Sequence, residues 1–152
     1  ATWNPIDSIS NTGTVSEYFE NSGISTEIWE ILYVVQGEGG CRDTAAIKEI
    51  TVFPSPDFEV NVINSPLCQI DENGDYEFEF ELNNIDVPAG TELTWNWGDG
   101  STPLTTNSTA NQTHVFNNRL SYFGTDNYTV TVAAETTDGC IINETVNIQL
   151  FP

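Results

Sequence analysis

Positive charge is nearly absent from this sequence, and that absence excludes several partners. The 152 residues include 3 Lys and Arg against 23 Asp and Glu, for a net charge of −20. Nucleic-acid binding needs many cations to release counterions from phosphates, so this surface repels nucleic acid and anionic membranes. We expect no nucleic-acid partner and no membrane insertion. Divalent cations, basic proteins and neutral glycans remain possible partners.

Methionine and long apolar runs are also absent. No apolar run approaches the roughly 20 residues that a membrane-spanning helix requires. The chain contains no Met, begins at Ala1 and shows no signal peptide, so we interpret it as an internal fragment of a longer exported protein. High negative charge keeps a long, exposed protein soluble in a saline medium. We therefore expect a secreted, cell-surface location.

Residues that commonly carry catalysis are scarce. His114 is the only histidine; it falls in a predicted strand, and no Ser or Cys stands around it in a recognisable nucleophile motif. A structural role is the simpler interpretation of this residue. The carboxylates are numerous, and none is distinguished from the rest. The sequence therefore predicts that the protein is not an enzyme.

Short strands separated by turn residues dominate what the sequence does contain. Clusters of Gly, Pro, Asn, Asp, Ser and Thr punctuate the chain between β-branched and aromatic runs. The clearest strand spans 75–82, where four apolar residues alternate with glutamates. Similar alternation marks 93–97, 128–132 and 144–151. These patterns predict an all-β, immunoglobulin-like sandwich with little or no helix.

An internal repeat indicates two modules. A Tyr-containing strand, a Gly-Cys pair and an apolar strand ending in Phe-Pro occur twice, and Cys41 and Cys140 lie 99 positions apart. The first copy is too short, because the strands that should precede Trp3 are missing or are supplied by another chain. We predict the C-terminal part of a module over 1–54 and a complete module over 55–152. The prolines near this boundary predict a short, stiff linker.

Three cysteines form an odd set, which predicts one disulfide and one cysteine without a partner in this chain. Cys68 and Cys140 enclose nearly the whole second module. A bridge between them would remove denatured-state entropy worth roughly 4 kcal/mol. We predict the Cys68–Cys140 disulfide, the alternative being two separate thiols. Cys41 is expected to bond upstream in the intact protein and to be unpaired here.

Three motifs follow one another in the second module. Trp95-Asn96-Trp97-Gly98-Asp99-Gly100 is followed by His114-Val115-Phe116, and then by Gly124 ahead of Tyr128-Thr129-Val130. Together they resemble the PKD (polycystic kidney disease) domain family, although Asn and Trp stand at 96 and 97 where the family usually has Asp and Phe. The resemblance implies PKD-type β-sandwich modules in tandem, with the structural motif residues Trp95, Trp97, Gly98, Asp99, Gly100, His114 and Tyr128.

Physical chemistry gives reasons for the same residues. Gly98 and Gly100 can take positive φ in a tight turn, and Asp99 can accept backbone N–H groups there. Trp95 and Trp97 share one face of a strand, so we expect them to fill the core between two sheets.

The Gly-Cys turn, the Val-rich strand and the closing Pro are similar to tandem modules of large Bacteroidetes surface proteins. Among these are gliding-motility adhesins exported by the type IX secretion system. The resemblance implies a non-catalytic repeat segment of a cell-surface adhesin or filament, with neighbouring modules, an extracellular glycan or another surface protein as partners. The alternative is a glycan-binding or spacer module of a secreted hydrolase or protease, with the candidate aromatics Trp3, Trp29, Tyr122 and Phe123.

Calcium is the one cofactor candidate. The acidic turn offers Asp71, Asn73 and Asp75 as oxygen ligands, although its glycine is fourth rather than sixth as in an EF-hand loop. A solvated turn is the simpler interpretation. Ser8 and Thr44 lie in Asp-Ser/Thr-apolar triplets that resemble the Bacteroidetes O-glycosylation pattern.

Overall fold

Antiparallel β-structure accounts for the ordered elements of the protein. The structure is a computed structural model that describes residues 16–21, 23–63, 75–116 and 126–150, and these residues contain eleven strands and no helix. The all-β class predicted from the sequence is confirmed. The strands are β1 (Glu27–Ile31), β2 (Val34–Gln36), β3 (Arg42–Thr44), β4 (Lys48–Val52), β5 (Asp57–Val62), β6 (Tyr76–Asp86), β7 (Glu92–Asn96), β8 (Leu104–Thr106), β9 (Gln112–Phe116), β10 (Asp126–Glu135) and β11 (Ile141–Leu150).

Strands β5 to β11 form two antiparallel sheets that share one core. Their orders are β11-β10-β7-β8 and β5-β6-β9. Phe80 of β6 lies 6.1 Å from Trp95 of β7 between ring centroids, so the apolar faces of the two sheets meet. The buried residues that form this cluster are Phe58, Val60, Tyr76, Phe78, Phe80, Leu82, Leu93, Trp95, Trp97, Phe116, Val130, Val132, Ala134, Ile148 and Leu150.

Strand β6 follows the predicted alternation. Tyr76, Phe78, Phe80 and Leu82 are buried, while the intervening glutamates are exposed or half-buried. The strand runs on to Asp86, past the predicted end. A register shift against β5 allows this extension, and Asn84 takes a φ of 50° beside it. An extra residue of this kind bends a strand without ending it.

The other predicted strands of the second module are confirmed as well, with one correction. β7 and β10 place their alternate apolar residues in the core, and so does β11 with Ile148 and Leu150. However, β11 begins at Ile141 rather than near Glu144. The cause is the tight turn after β10, since Glu135 already pairs with Ile141.

Both Gly-Cys pairs close hairpins of the same geometry. The Gly37 N–H donates to the Cys41 carbonyl and the Gly40 N–H donates to the Gly37 carbonyl, each at 2.9 Å. At the second turn the Thr136 N–H donates to the Cys140 carbonyl and the Gly139 N–H to the Thr136 carbonyl, again at 2.9 Å each. The φ values of 79° at Gly40 and 85° at Gly139 match a three-residue loop with a left-handed closing residue.

The hairpin strands also repeat beyond the turn. In the first hairpin β1 pairs with β4 and β2 with β3, and Trp29 stands opposite Ile50. In the second hairpin Tyr128 stands opposite Ile148, which lies one residue nearer to its turn cysteine than Ile50 does. The Gly-Cys turn of the sequence repeat is therefore repeated as hydrogen-bonded structure, whereas Tyr33 and Tyr128 do not occupy corresponding positions: counted from the cysteines, Trp29 corresponds to Tyr128.

The predicted linker lies between β4 and β5. Pro54 and Pro56 are both buried, so this connection packs against the protein rather than running freely through solvent. The division at this point into two modules stays a prediction.

Candidate functional site

The Gly-Asp-Gly turn follows β7 directly and is fixed by side chains of its own. The Asn96 carboxamide oxygen accepts the Gly98 N–H at 3.0 Å. One Asp99 carboxylate oxygen accepts the Ser101 N–H at 2.9 Å, as the sequence predicted for this aspartate. Asn96 therefore supplies the acceptor that fixes the start of the turn. Gly98 and Gly100 take φ values of 78° and 84°.

Gly98 has a second reason to be glycine. A Cβ atom at this position would collide with the Thr129 carbonyl oxygen on β10, and would lie 3.1 Å from the carbonyl carbon and 3.2 Å from the nitrogen of the same residue. Real Cβ atoms rarely approach backbone so closely, and backbone in the middle of a sheet cannot yield cheaply. At Gly100 the same space is open. Of the two turn glycines, Gly98 is therefore the one that packs against the sheet.

Asp99 joins the turn to the other sheet. Its second carboxylate oxygen lies 2.9 Å from His114 Nε2 on β9, and the two side chains are only 11% and 17% exposed. Because an ionised carboxylate only accepts hydrogen bonds, His114 carries its proton on Nε2 in this contact. The Ser101 hydroxyl donates to the first carboxylate oxygen at 2.6 Å. We call the set Asp99, Ser101 and His114 the polar clasp.

Burial and hydrogen bonding act on Asp99 in opposite directions. Partial burial alone raises the pKa of this carboxyl group. Hydrogen bonds from Ser101 and His114, helped by the charge of His114, outweigh burial and lower the pKa to about 2. The clasp therefore holds Asp99 as a carboxylate down to strongly acidic pH.

The motif aromatics form a continuous stack beside the clasp. The His114 ring lies parallel to Trp97 at a centroid distance of 4.4 Å and meets Phe116 edge-on at 4.7 Å. Tyr128 contacts Phe116 at 5.1 Å, and Trp95 stacks on Trp97 at 5.5 Å. The predicted burial of both tryptophans is confirmed, although the buried indole N–H of Trp95 has no hydrogen-bond partner. The structure thus brings together motif residues that are spread over 34 positions, from 95 to 128.

The clasp is arranged for cohesion rather than for activating a nucleophile. The Ser101 hydroxyl donates to Asp99, and its distance to His114 Nε2 is longer, at 3.4 Å. His114 in turn is directed at the carboxylate. A nucleophilic serine would need the histidine as its proton acceptor. The geometry instead links the turn after β7, in the four-stranded sheet, to β9 of the three-stranded sheet.

Sequence reasoning singled out Asp99 and His114 but missed Ser101 and the contact between Asp99 and His114. The interpretation of Asp99 as a turn-stabilising residue covered only its acceptance of backbone N–H groups within the turn. A signal was available, since the histidine shares a strand face with Phe116, and a histidine that becomes partly buried beside a core residue needs a polar partner.

The cysteines are placed as follows. Cys140 closes the second hairpin turn, where its N–H donates to the Thr136 hydroxyl at 3.0 Å, and its half-buried thiol bonds no cysteine of the described residues. Cys41 is free and exposed. Cys68 lies outside the described residues, so the Cys68–Cys140 disulfide stays a prediction. No disulfide occurs within the part of the chain that the structure describes.

The calcium and glycosylation candidates fall largely elsewhere. Asp71, Asn73 and Ser8 lie outside the described residues, and Asp75 immediately precedes β6. Within 16–21, 23–63, 75–116 and 126–150, no group of three or more His, Cys, Asp or Glu side chains is arranged to hold a metal ion. Thr44 is exposed at the end of β3. Calcium binding and O-glycosylation stay predictions.

Comparison with known proteins assigns the chain to no family. No family model matches the chain, and no curated protein matches it. Among the described residues, no helix has the length and apolar character needed to span a membrane.

The polar clasp makes stability sensitive to acid. We expect wild-type protein to lose about 2 kcal/mol more unfolding free energy than Asp99→Asn as the pH falls from 5 to 2. The sign follows from the lowered pKa of about 2: the contribution is present above the unfolded pKa near 3.9 and is lost as the folded group protonates. Urea unfolding at each pH measures the difference.

The matched control for this experiment is Asp86→Asn, which removes an exposed aspartate of β6 in the same module. Its acid response should parallel that of the wild type. Identical pH profiles for wild type and Asp99→Asn would show that the clasp does not couple protonation to folding.

Proposed function

We propose that the chain is a non-catalytic repeat segment of a large, secreted cell-surface adhesin or filament, built from PKD-type, immunoglobulin-like β-sandwich modules. The observation that carries the proposal is the hairpin repeated 99 positions apart, with the same turn hydrogen bonds at Cys41 and Cys140. One polypeptide that contains the same supersecondary unit twice is typical of tandem-module proteins. Two sheets that share a core support the sandwich assignment.

The internal chemistry of the second module supports a mechanical role. Its motif residues Asp99 and His114 are used to tie one sheet to the other, and its motif tryptophans are buried. Neither set presents a surface to a substrate. The net charge of −20 favours solubility of a long exposed chain. Partners of such a segment are neighbouring modules and an extracellular glycan or surface protein.

The test is a peptide map of the native polypeptide that contains this sequence, made without reduction. We expect a very large chain with many Gly-Cys-terminated module peptides and with Cys68 linked to Cys140. A chain of moderate size with one or two such modules beside a catalytic domain would contradict the proposal. That result would favour a spacer or glycan-binding module. Binding to insoluble polysaccharide that Trp29→Ala abolishes would then identify a glycan-binding module, and no binding would identify a spacer.

A further inference from the structure

The first hairpin exposes a face that its counterpart buries. Trp29 and Ile31 of β1, Tyr33 between the strands and Val35 of β2 alternate along one face; Ile31 is half-buried, and the other three are 42%, 56% and 50% exposed. The hairpin turns align Cys41 with Cys140, so the three exposed residues correspond to Tyr128, Val132 and Ala134 of β10. Val132 and Ala134 are both 0% exposed. Trp29 contacts Phe19 at 5.6 Å between ring centroids, and Tyr128 likewise contacts an aromatic ring, that of Phe116, at 5.1 Å.

The strands that cover the second hairpin show which kind of strand fits the corresponding face of the first. β7 pairs antiparallel with β10 from Thr131 to Glu135, which places Trp95 opposite Val132. β5 and β6 add the apolar side chains that close the core from the other sheet. In the first hairpin the corresponding edge is 32–36, and among the described residues β2 has β3 as its only neighbouring strand.

We propose that the first hairpin is an acceptor for β-strands of the β5–β6–β7 type. A donor strand with Leu-x-Trp alternation pairs antiparallel with 32–36, and aromatic side chains of the donor sheet cover Trp29, Tyr33 and Val35. This inference rests on the tandem-module part of the proposed function and not on an adhesive role. Main-chain pairing at a free edge combined with apolar pockets is an established mode of strand addition.

Charge sets a further property of the donor. Lys48 pairs with Ile31 in β1, at the position where the second hairpin pairs Val146 with Val130. A partner that covers this face therefore needs a carboxylate near Lys48, because a buried ammonium without a partner is costly. Two of the three basic residues in the chain, Arg42 and Lys48, belong to this hairpin. In a donor sheet of the β6 type the glutamates lie on the face opposite the apolar side chains, so this carboxylate has to come from elsewhere in the donor.

The donor can be supplied in the same polypeptide. Residues 55–100, which span β5, β6 and β7, are joined to Ala1 of the full chain through a flexible Gly-Ser linker, so that the effective donor concentration is high. Hydrogen exchange is followed at the amides of 32–36, and Trp29 emission is recorded. We expect exchange at these amides to slow by at least about 100-fold relative to the unfused chain, with a blue shift of Trp29.

The control fusion carries Leu93→Asp and Trp95→Asp in the added copy only, which keeps its length and removes its apolar face. It should leave exchange at 32–36 as in the unfused chain. Equal exchange in the intact fusion and the unfused chain would overturn the proposal. An unfused chain that is dimeric by light scattering, with 32–36 already protected, would also overturn it, because a second copy would then be the occupant. Neither result depends on the size of the native polypeptide, which tests the proposed function.

Discussion

Gly98→Ala is expected to lower the unfolding free energy of the second module by about 3 kcal/mol or more. Two costs add at this position. A left-handed φ of 78° costs an L-residue roughly 1 to 2 kcal/mol. The new methyl group also collides with the Thr129 backbone of β10, and overpacking against a fixed neighbour costs about 1 to 3 kcal/mol more. Urea unfolding monitored by the emission of Trp95 and Trp97 measures the loss, in a background where Trp3 and Trp29 are replaced by Phe.

Gly100→Ala is the matched control in the same turn. Its φ of 84° is equally left-handed, but a Cβ atom there meets no neighbour within 4 Å. We expect a loss of about 1 kcal/mol from backbone strain alone. Equal losses for the two variants would mean that the turn does not pack against β10 through Gly98.

Local patterns predicted those parts of the fold that depend on local chemistry. The alternation in β6 was readable because one face of the strand is buried in a single core and the other is not. The Gly-Cys turns were readable because a three-residue hairpin loop needs a left-handed closing residue, which Gly40 and Gly139 supply. Both signals lie within a few residues of the structure that they specify.

Features that depend on contacts between distant segments were not predicted. Asp99 and His114 are 15 positions apart and belong to different sheets, so only the packing of those sheets reveals their bond. The requirement for glycine at 98 has two parts, and the sequence indicated only the turn conformation. The approach of Thr129 depends on how β10 runs behind the turn. The bulge at Asn84 likewise follows from the register of β5 against β6.

The two hairpins have similar strand pairing but differ in how deeply their side chains are buried. Trp29 and Tyr128 occupy corresponding positions opposite Ile50 and Ile148. Pairing within a hairpin is local and appears in both copies. Burial depends on distant segments. The second hairpin pairs with β7, and among the described residues no strand pairs with the first hairpin in that way. An isolated two-stranded hairpin is only marginally stable in water, so we expect the second module to hold most of the cooperative stability of the chain.

Phe80 lies at the centre of the aromatic contacts in this core. It is fully buried in β6, and its ring contacts Trp97 at 5.6 Å, Trp95 at 6.1 Å, Phe78 at 6.3 Å and Phe116 at 6.5 Å. The ring therefore contacts aromatic residues of both sheets. Removing it would leave a cavity that these rigid rings cannot readily fill, since each is already fixed by a neighbour in the stack.

Phe80→Ala is accordingly expected to cost about 4 kcal/mol of unfolding free energy, near the middle of the range for a buried phenylalanine. Such a loss is a large share of the stability of a small domain, so partial unfolding at room temperature is expected. Ile85→Ala on the same strand is the control, because Ile85 is 41% exposed and its truncation should cost less than about 1 kcal/mol. Urea unfolding in the background that retains only Trp95 and Trp97 compares the two variants. Similar costs for both variants would contradict the shared aromatic core. In that core Phe80 is enclosed by both sheets and Ile85 is not, so the two truncations should differ.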